Sequence, residues 1–229
     1  APTRRPFNSN GAAVALRTGA RVVAMPRDGG AVRAIELGDG HAVELAARDV
    51  VVCAVPWFAL ARLLPEVAAV PGSLESSPIV TAYFALPPDA APPDDTGPVT
   101  ALVDGSPFHF LIRRPGDEPH RFALLSGGDR GFDGRPVAEI EAIARAQLRR
   151  FWPGADADLG TVRVRKEQHA TFVAAPGSAT RRPQPGRAPG VANLWLCGDW
   201  TATGLPATLE GAARSAERLL AAFDQSAST

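Results

Sequence analysis

Residues 193–223 read NLWLCGDWTATGLPATLEGAARSAERLLAAF, and the order of residue types in this stretch decides the fold. Leu194, Trp195, Leu196 and Cys197 form an uninterrupted apolar run, the pattern of a short strand buried on both faces. Gly198 lets the backbone turn sharply at the carboxy end of that strand, and Asp199 presents a carboxylate there. Open α/β sheets place their ligands at this end of their strands. A short loop containing Gly204 leads into a helix predicted over 206–223, with Pro206 as its first helical residue. The amides around Ala207, Thr208 and Leu209 then face the same crevice, and a helix amino terminus favours negative charge. An ordinary strand–loop–helix with Asp199 as a capping residue accounts for the same pattern.

Working outward, residues 49–56 (DVVVCAVP) are a continuous β-branched run that reads as a second strand buried on both faces, stopped by Pro56. Residues 57–64 have helical spacing, and Pro65 ends it. Before them, short apolar runs at 14–16, 21–25 and 32–37 are separated by Thr18-Gly19, Asp28-Gly29-Gly30 and Gly38-Asp39-Gly40, the punctuation of an antiparallel meander. In the middle of the chain, 79–86, 99–103, 108–112, 122–126 and 161–165 read as strands. Residues 87–98, rich in Pro and Asp, read as an exposed loop. Residues 137–151 carry Val137, Ile140, Ile143, Ala144 and Leu148 on one helix face, with Arg145, Arg149 and Arg150 towards the carboxy end, where the helix dipole favours cations. Residues 174–190, rich in Pro and Gly, read as irregular.

Composition bounds the function. The chain has 229 residues and formal net charge zero, so nothing points to nucleic acid or another polyanion. Arginine supplies nearly all the positive charge, since Lys166 is the sole lysine. Cys53 and Cys197 both sit in apolar runs and read as core thiols. No CxxC pair or His/Cys cluster suggests a metal. No apolar run reaches the ~18 residues that span a bilayer. Residues 1–10 are polar, so a cytoplasmic setting is the default expectation. Arg113-Arg114 and Arg181-Arg182 read as solvated surface, and Trp57 and Phe58 as core. His109 lies between Phe108 and Phe110, and nothing organises Glu167 and His169 into a dyad. Glu210 suits the first turn of its helix through the dipole alone. No Ser-His-Asp or Cys-His arrangement stands out, and no catalytic residue is assigned.

Gly198-Asp199 followed by Gly204-Leu205-Pro206-Ala207-Thr208-Leu209-Glu210-Gly211-Ala212 resembles the carboxy-terminal flavin motif of the amine oxidase and phytoene desaturase superfamily. The wording GDWTATGLPATLEGAARS resembles the hydroxysqualene dehydroxylases, squalene-associated FAD-dependent desaturase-like enzymes of hopanoid synthesis. The resemblance implies that FAD is the cofactor, that Gly198 is among the residues that bind it, that Asp199 contacts its ribityl chain, and that Leu205, Pro206, Ala207 and Thr208 lie beside the ring. More weakly, Arg21-Val22-Val23 resembles the strand whose valine, here Val22, meets the adenine. Residues 49–56 likewise resemble the strand and Ala-x-Pro turn near the adenosine half, here Ala54 and Pro56.

The implied fold class is α/β with α+β character. It combines a partial FAD-binding Rossmann-like domain with an inserted mixed or antiparallel-sheet substrate domain. The expected boundaries are a flavin-domain remnant over 1–56, a substrate domain over 57–190, and the carboxy-terminal flavin strand and helix over 191–229. The implied reaction is reductive dehydroxylation of hydroxysqualene to squalene, in which reduced FAD gives hydride to an allylic carbocation. Such a substrate resides in the bilayer, so peripheral membrane contact is expected. Carotenoid desaturation and amine oxidation are alternatives of the same class. This superfamily opens with a G-x-G-x-x-G loop and an acidic residue about 20 positions further on, and the chain contains neither. The expectation is the second half of a longer enzyme, with the amino-terminal FAD-binding segment missing or supplied by another chain. A non-catalytic fragment is the remaining alternative.

Overall fold

Short apolar runs between glycine-bearing turns give strands of two to four residues in the first part of the chain. The computed structural model describes residues 15–67, 74–86, 97–103, 105–113, 121–151 and 160–227. The chain divides into two compact units, one of Ala1–Leu74 with Ala174–Thr229 and one of Glu75–Val173. The helix after Pro56 and residues 174–190 therefore go with the first unit, whereas the sequence reading gave both to the middle domain. Chain order alone hides this, because the excursion leaves after Leu74 and returns at Ala174 through stretches whose Pro and Gly also suit ordinary turns.

In the first unit, β1 (Val22–Ala24), β4 (Ala34–Leu37) and β5 (Ala42–Glu44) make an antiparallel sheet. Between them, β2 (Arg27–Asp28) and β3 (Ala31–Val32) form a hairpin. A second sheet places β6 (Val51–Cys53) at one edge, β13 (Leu194–Leu196) in the centre and β12 (Gly186–Arg187) at the other edge. β6 and β13 run parallel, with Leu196 opposite Cys53. The β13 run is buried throughout, as its composition predicts. The β6 run is not. Val51 and Cys53 are buried, but Val50 and Val52 are about half exposed (45% and 51%), because β6 is an edge strand with only one face covered.

Asn193 ties the hairpin to the amino end of β13: its side chain accepts from the Val32 amide at 2.8 Å and donates to the Val32 carbonyl at 2.9 Å. α1 (Trp57–Leu63) follows Pro56 and stops before Pro65; its Trp57 is buried and donates to the Leu74 carbonyl at 3.0 Å. The last helix, α3 (Leu209–Ala227), packs Leu219, Ala222 and Phe223 on Trp195 and Cys197.

The second unit is one antiparallel sheet in the order β11 (Arg163–Phe172), β7 (Ser76–Ala85), β10 (Arg121–Gly127), β9 (Phe110–Arg113), β8 (Val99–Ala101). Period-two alternation sends Val80, Ala82, Phe84, Phe122 and Leu124 to one face, where Ile140, Ala144 and Leu148 of α2 (Val137–Phe151) cover them. The opposite face holds a groove of about 920 Å³ whose lining includes Thr81, Tyr83, Ile112 and Leu125. β11 extends well past the expected 161–165. The sequence hides its second half because the register shifts between Glu167 and Thr171, and an edge strand carries charges where a central one cannot. Most of the expected 87–98 loop lies outside the described residues.

Candidate functional site

Two turns meet at the carboxy edge of the parallel β6–β13 pair. The Cys197 amide continues the ladder to the Cys53 carbonyl at 3.2 Å. Beyond it the chain turns at Gly198-Asp199, beside the Ala54-Val55-Pro56 turn that leaves β6. Trp200 stitches the two together: it is fully buried, and its indole Nε1 donates to the Val55 carbonyl at 2.9 Å. Gly198 has φ +132°, and a Cβ there would lie 2.7 Å from Trp200 Nε1, so glycine is required on both steric and backbone grounds. The Gly198 amide donates to Ser215 Oγ of α3 at 2.8 Å, and that hydroxyl donates to the Ala212 carbonyl at 2.6 Å. Helix and turn are thereby held in one register.

The helix entry differs from the sequence reading. α3 begins at Leu209, not Pro206. Thr208 caps it: its Oγ1 accepts from the Gly211 amide at 3.1 Å, and its carbonyl accepts the first helical bond, from the Ala212 amide at 2.9 Å. The amides without an intrahelical carbonyl thus belong to Leu209, Glu210 and Gly211, with Gly211 satisfied by the cap. Pro206 and Ala207 belong to the loop. The pyrrolidine of Pro206 suggested a first helical residue, but a helix beginning there would have Leu205 as its cap, which supplies no side-chain acceptor.

Asp199 is half-buried. Burial pushes its carboxyl above the usual range, against the opposing effects of the Trp200 amide, its own amide and the nearby Arg182 charge. Arg182, expected on the solvated surface, is instead part-buried against the 199–205 loop. It donates to the carbonyls of Asp199 at 2.9 Å, Trp200 at 3.3 Å and Leu205 at 2.8 Å, and to that of Thr201. The Pro- and Gly-rich context of 174–190 masked it. The signal available was indirect: carbonyls of an irregular loop need donors from somewhere.

The structure thus gathers Ala54, Pro56, Gly198 and Asp199 at one edge, with Leu205, Pro206, Ala207 and Thr208 in the loop and cap that follow. It does not bring Val22 among them: Val22 pairs with Leu37 in the separate meander sheet. Both cysteines are buried free thiols, and burial pushes both upward in pKa, as core cysteines should be. In the second unit His109 Nε2 lies 3.6 Å from Asp129 Oδ2, and His169 Nδ1 lies 2.7 Å from Ser76 Oγ.

A family model described as flavin containing amine oxidoreductase matches residues 10–219. A hydroxysqualene dehydroxylase of Rhodopseudomonas palustris is 34% identical over 204 residues, covering 89% of this chain and 45% of that protein. Another, of Sinorhizobium fredii, is 34% identical over 185 residues, covering 80% and 40%. The chain therefore spans less than half the length of these curated relatives. Among solved structures, cyclohexylamine oxidase from Brevibacterium oxydans superposes with a TM-score of 0.66 at 14% identity, covering 91% of this chain and 49% of that one. At that identity the likeness establishes the fold alone.

Proposed function

We infer an activity from one premise: the chain belongs to the flavin-containing amine oxidoreductase family. Its cofactor is FAD. The β6–β13 edge forms the wall of the flavin site nearest the ribityl chain and ring. One observation carries this reading: a half-buried carboxylate, Asp199, stands at the carboxy edge of a parallel strand pair, beside the capped start of a helix. The residues fit the group. A carboxylate accepts from ribityl hydroxyls, and first-turn amides of α3 suit the electron-rich pyrimidine edge of a flavin. Bound FAD supplies hydride chemistry that no side chain of the site could supply. The chain's own part is to hold Asp199, shape the loop through Trp200 and Arg182, and keep water from the buried side of the edge.

The substrate in this reading is a long apolar isoprenoid, and the reaction is the reductive loss of hydroxyl from hydroxysqualene to give squalene, a step of hopanoid formation. The names of the curated relatives support it. The second unit's groove offers Tyr83, Ile112 and Leu125 as apolar lining, and Arg121, Arg163 and Arg165 line it as well. Peripheral contact with a bilayer belongs to the same reading, since such substrates partition there. Among the described residues no helix is long and apolar enough to cross a membrane.

The test is product analysis. The chain joined to an amino-terminal segment that carries a G-x-G-x-x-G loop, loaded with FAD, reduced without oxygen and given hydroxysqualene, should yield squalene and water as the flavin is reoxidised. Desaturation of phytoene or oxidation of an amine, with no squalene formed, would overturn the assignment. Asp199→Ala should weaken FAD binding by roughly 10- to 100-fold, the loss expected when hydrogen bonds to a charged group are removed. Unchanged affinity would reduce Asp199 to a residue of the turn.

A further inference from the structure

We propose that Arg182 is the positioning residue of the flavin-facing loop, fixing the shape of residues 199–205, and through it the place of Asp199, before any cofactor arrives. The proposal rests on the reading of this edge as a flavin site.

The loop has no helix or strand to satisfy its carbonyls. A buried, unpaired carbonyl costs about as much as a lost hydrogen bond, so a loop of this shape needs a donor-rich partner. A guanidinium offers N–H groups in a rigid planar fork and accepts nothing. Arg182 spends that fork along the whole loop. Nη2 bonds the carbonyls of Asp199, at 2.9 Å, and Thr201, and lies 3.5 Å from Thr203 Oγ1. Nε bonds the Trp200 carbonyl at 3.3 Å, and Nη1 the Leu205 carbonyl at 2.8 Å. The first and last residues of the loop thus converge on one side chain.

The backbone bearing Arg182 is itself tied to the loop, since the Ala202 amide donates to the Pro183 carbonyl at 2.8 Å. Thr203 Oγ1 in turn accepts from the Leu205 amide at 3.3 Å. A lysine could not reproduce this. Its ammonium is a point charge with three rotating donors, and it cannot hold carbonyls at both ends of a loop in one plane. The location also matters electrostatically. Burial disfavours both charges, lowering the guanidinium's pKa and raising the carboxyl's, and the attraction between Arg182 and Asp199 opposes only part of each shift.

The experiment compares the unaltered chain with Arg182→Gln and Arg182→Lys. Amide hydrogen exchange of the flavin-free protein is followed by peptide, then FAD titration and the reduction potential of the bound flavin. Exchange across 199–205 should accelerate at least tenfold in both variants, the factor that corresponds to one lost charge-assisted hydrogen bond. Exchange in β4 and β13, which belong to the same unit as Arg182, should not change, which also verifies that the variants fold. FAD affinity should fall at least tenfold and the flavin potential should shift, with Lys rescuing neither fully. Unchanged exchange across 199–205 overturns the proposal. So does faster exchange with unaltered affinity and potential, which would make Arg182 a stabilising residue without a positioning role. Failure of the unaltered protein to bind FAD or any flavin would instead defeat the functional reading, a result the exchange data are independent of.

Discussion

Asp199 is asked to be charged where burial opposes charge. Its folded-state pKa is raised, with desolvation as the main cause. The sign of the linkage follows. The native state holds this proton more tightly than the unfolded chain, so stability falls as pH rises from the ordinary carboxylate range through the raised value. At neutral pH the ionised group therefore costs stability in the flavin-free protein. Asp199→Asn is expected to raise the melting temperature of the flavin-free chain at neutral pH, while weakening flavin binding. The gain should shrink as pH is lowered towards the ordinary carboxylate value. A melting temperature that drops at neutral pH would mean that the charge is net stabilising, and that the amides and Arg182 outweigh burial. A residue retained at a cost to the fold is what a binding site requires. The carboxylate's place after an apolar strand was legible in the sequence, but the same pattern fits a capping residue, and the resemblance of 198–212 to a flavin motif is what singled it out. Its counterpart Arg182 was not, because its partners are backbone carbonyls, which leave no trace in residue identity.

At the scale of elements, the entry to α3 shows what pattern reading can and cannot reach. The helix was legible from its periodicity, and its start was misplaced by the span from Pro206 to Leu209. The right signal was present, since Thr208 is a far better cap than Leu205, the residue a helix starting at Pro206 would need. Thr208→Ala should cost about 1 kcal/mol in chemical denaturation. Gly211 makes a sharper test because helix propensity alone gives the opposite sign. Glycine to alanine inside a helix ordinarily stabilises by about 1 kcal/mol. Here the added Cβ would lie 2.7 Å from the Pro206 carbonyl oxygen. The loop must yield, so Gly211→Ala is expected to destabilise by about 1–3 kcal/mol. A stabilised variant would show that the 206–208 segment moves freely and is not a fixed wall. β6 carries the complementary lesson. Its β-branched run reads as doubly covered, yet Val50 and Val52 are half exposed, because sequence records that a face is apolar and not what covers it.

For the whole molecule, the sequence yields an α/β flavin edge and an antiparallel insertion, and the structure moves the unit boundaries to Leu74 and Ala174. Those boundaries were illegible because Pro- and Gly-rich stretches also mark turns inside a unit, and only strand pairing reveals which sheet a run joins. The distribution of the site across the molecule leads to a last expectation. In the proposed reading Gly198, Asp199 and the 205–208 segment serve the ribityl chain and ring, whereas the chain contains no G-x-G-x-x-G loop to cradle a diphosphate. Each flavin is then recognised here chiefly by the part it shares with every other, the adenosine half of FAD adding only the contacts expected of Val22, Ala54 and Pro56. Riboflavin, FMN and FAD should bind this chain with dissociation constants within about tenfold of one another, because about 1.4 kcal/mol is all that separates ligands at that ratio. Quenching of flavin fluorescence measures all three. A preference for FAD of a hundredfold or more would place a diphosphate site within these residues, and would shift the search to the meander that holds Val22.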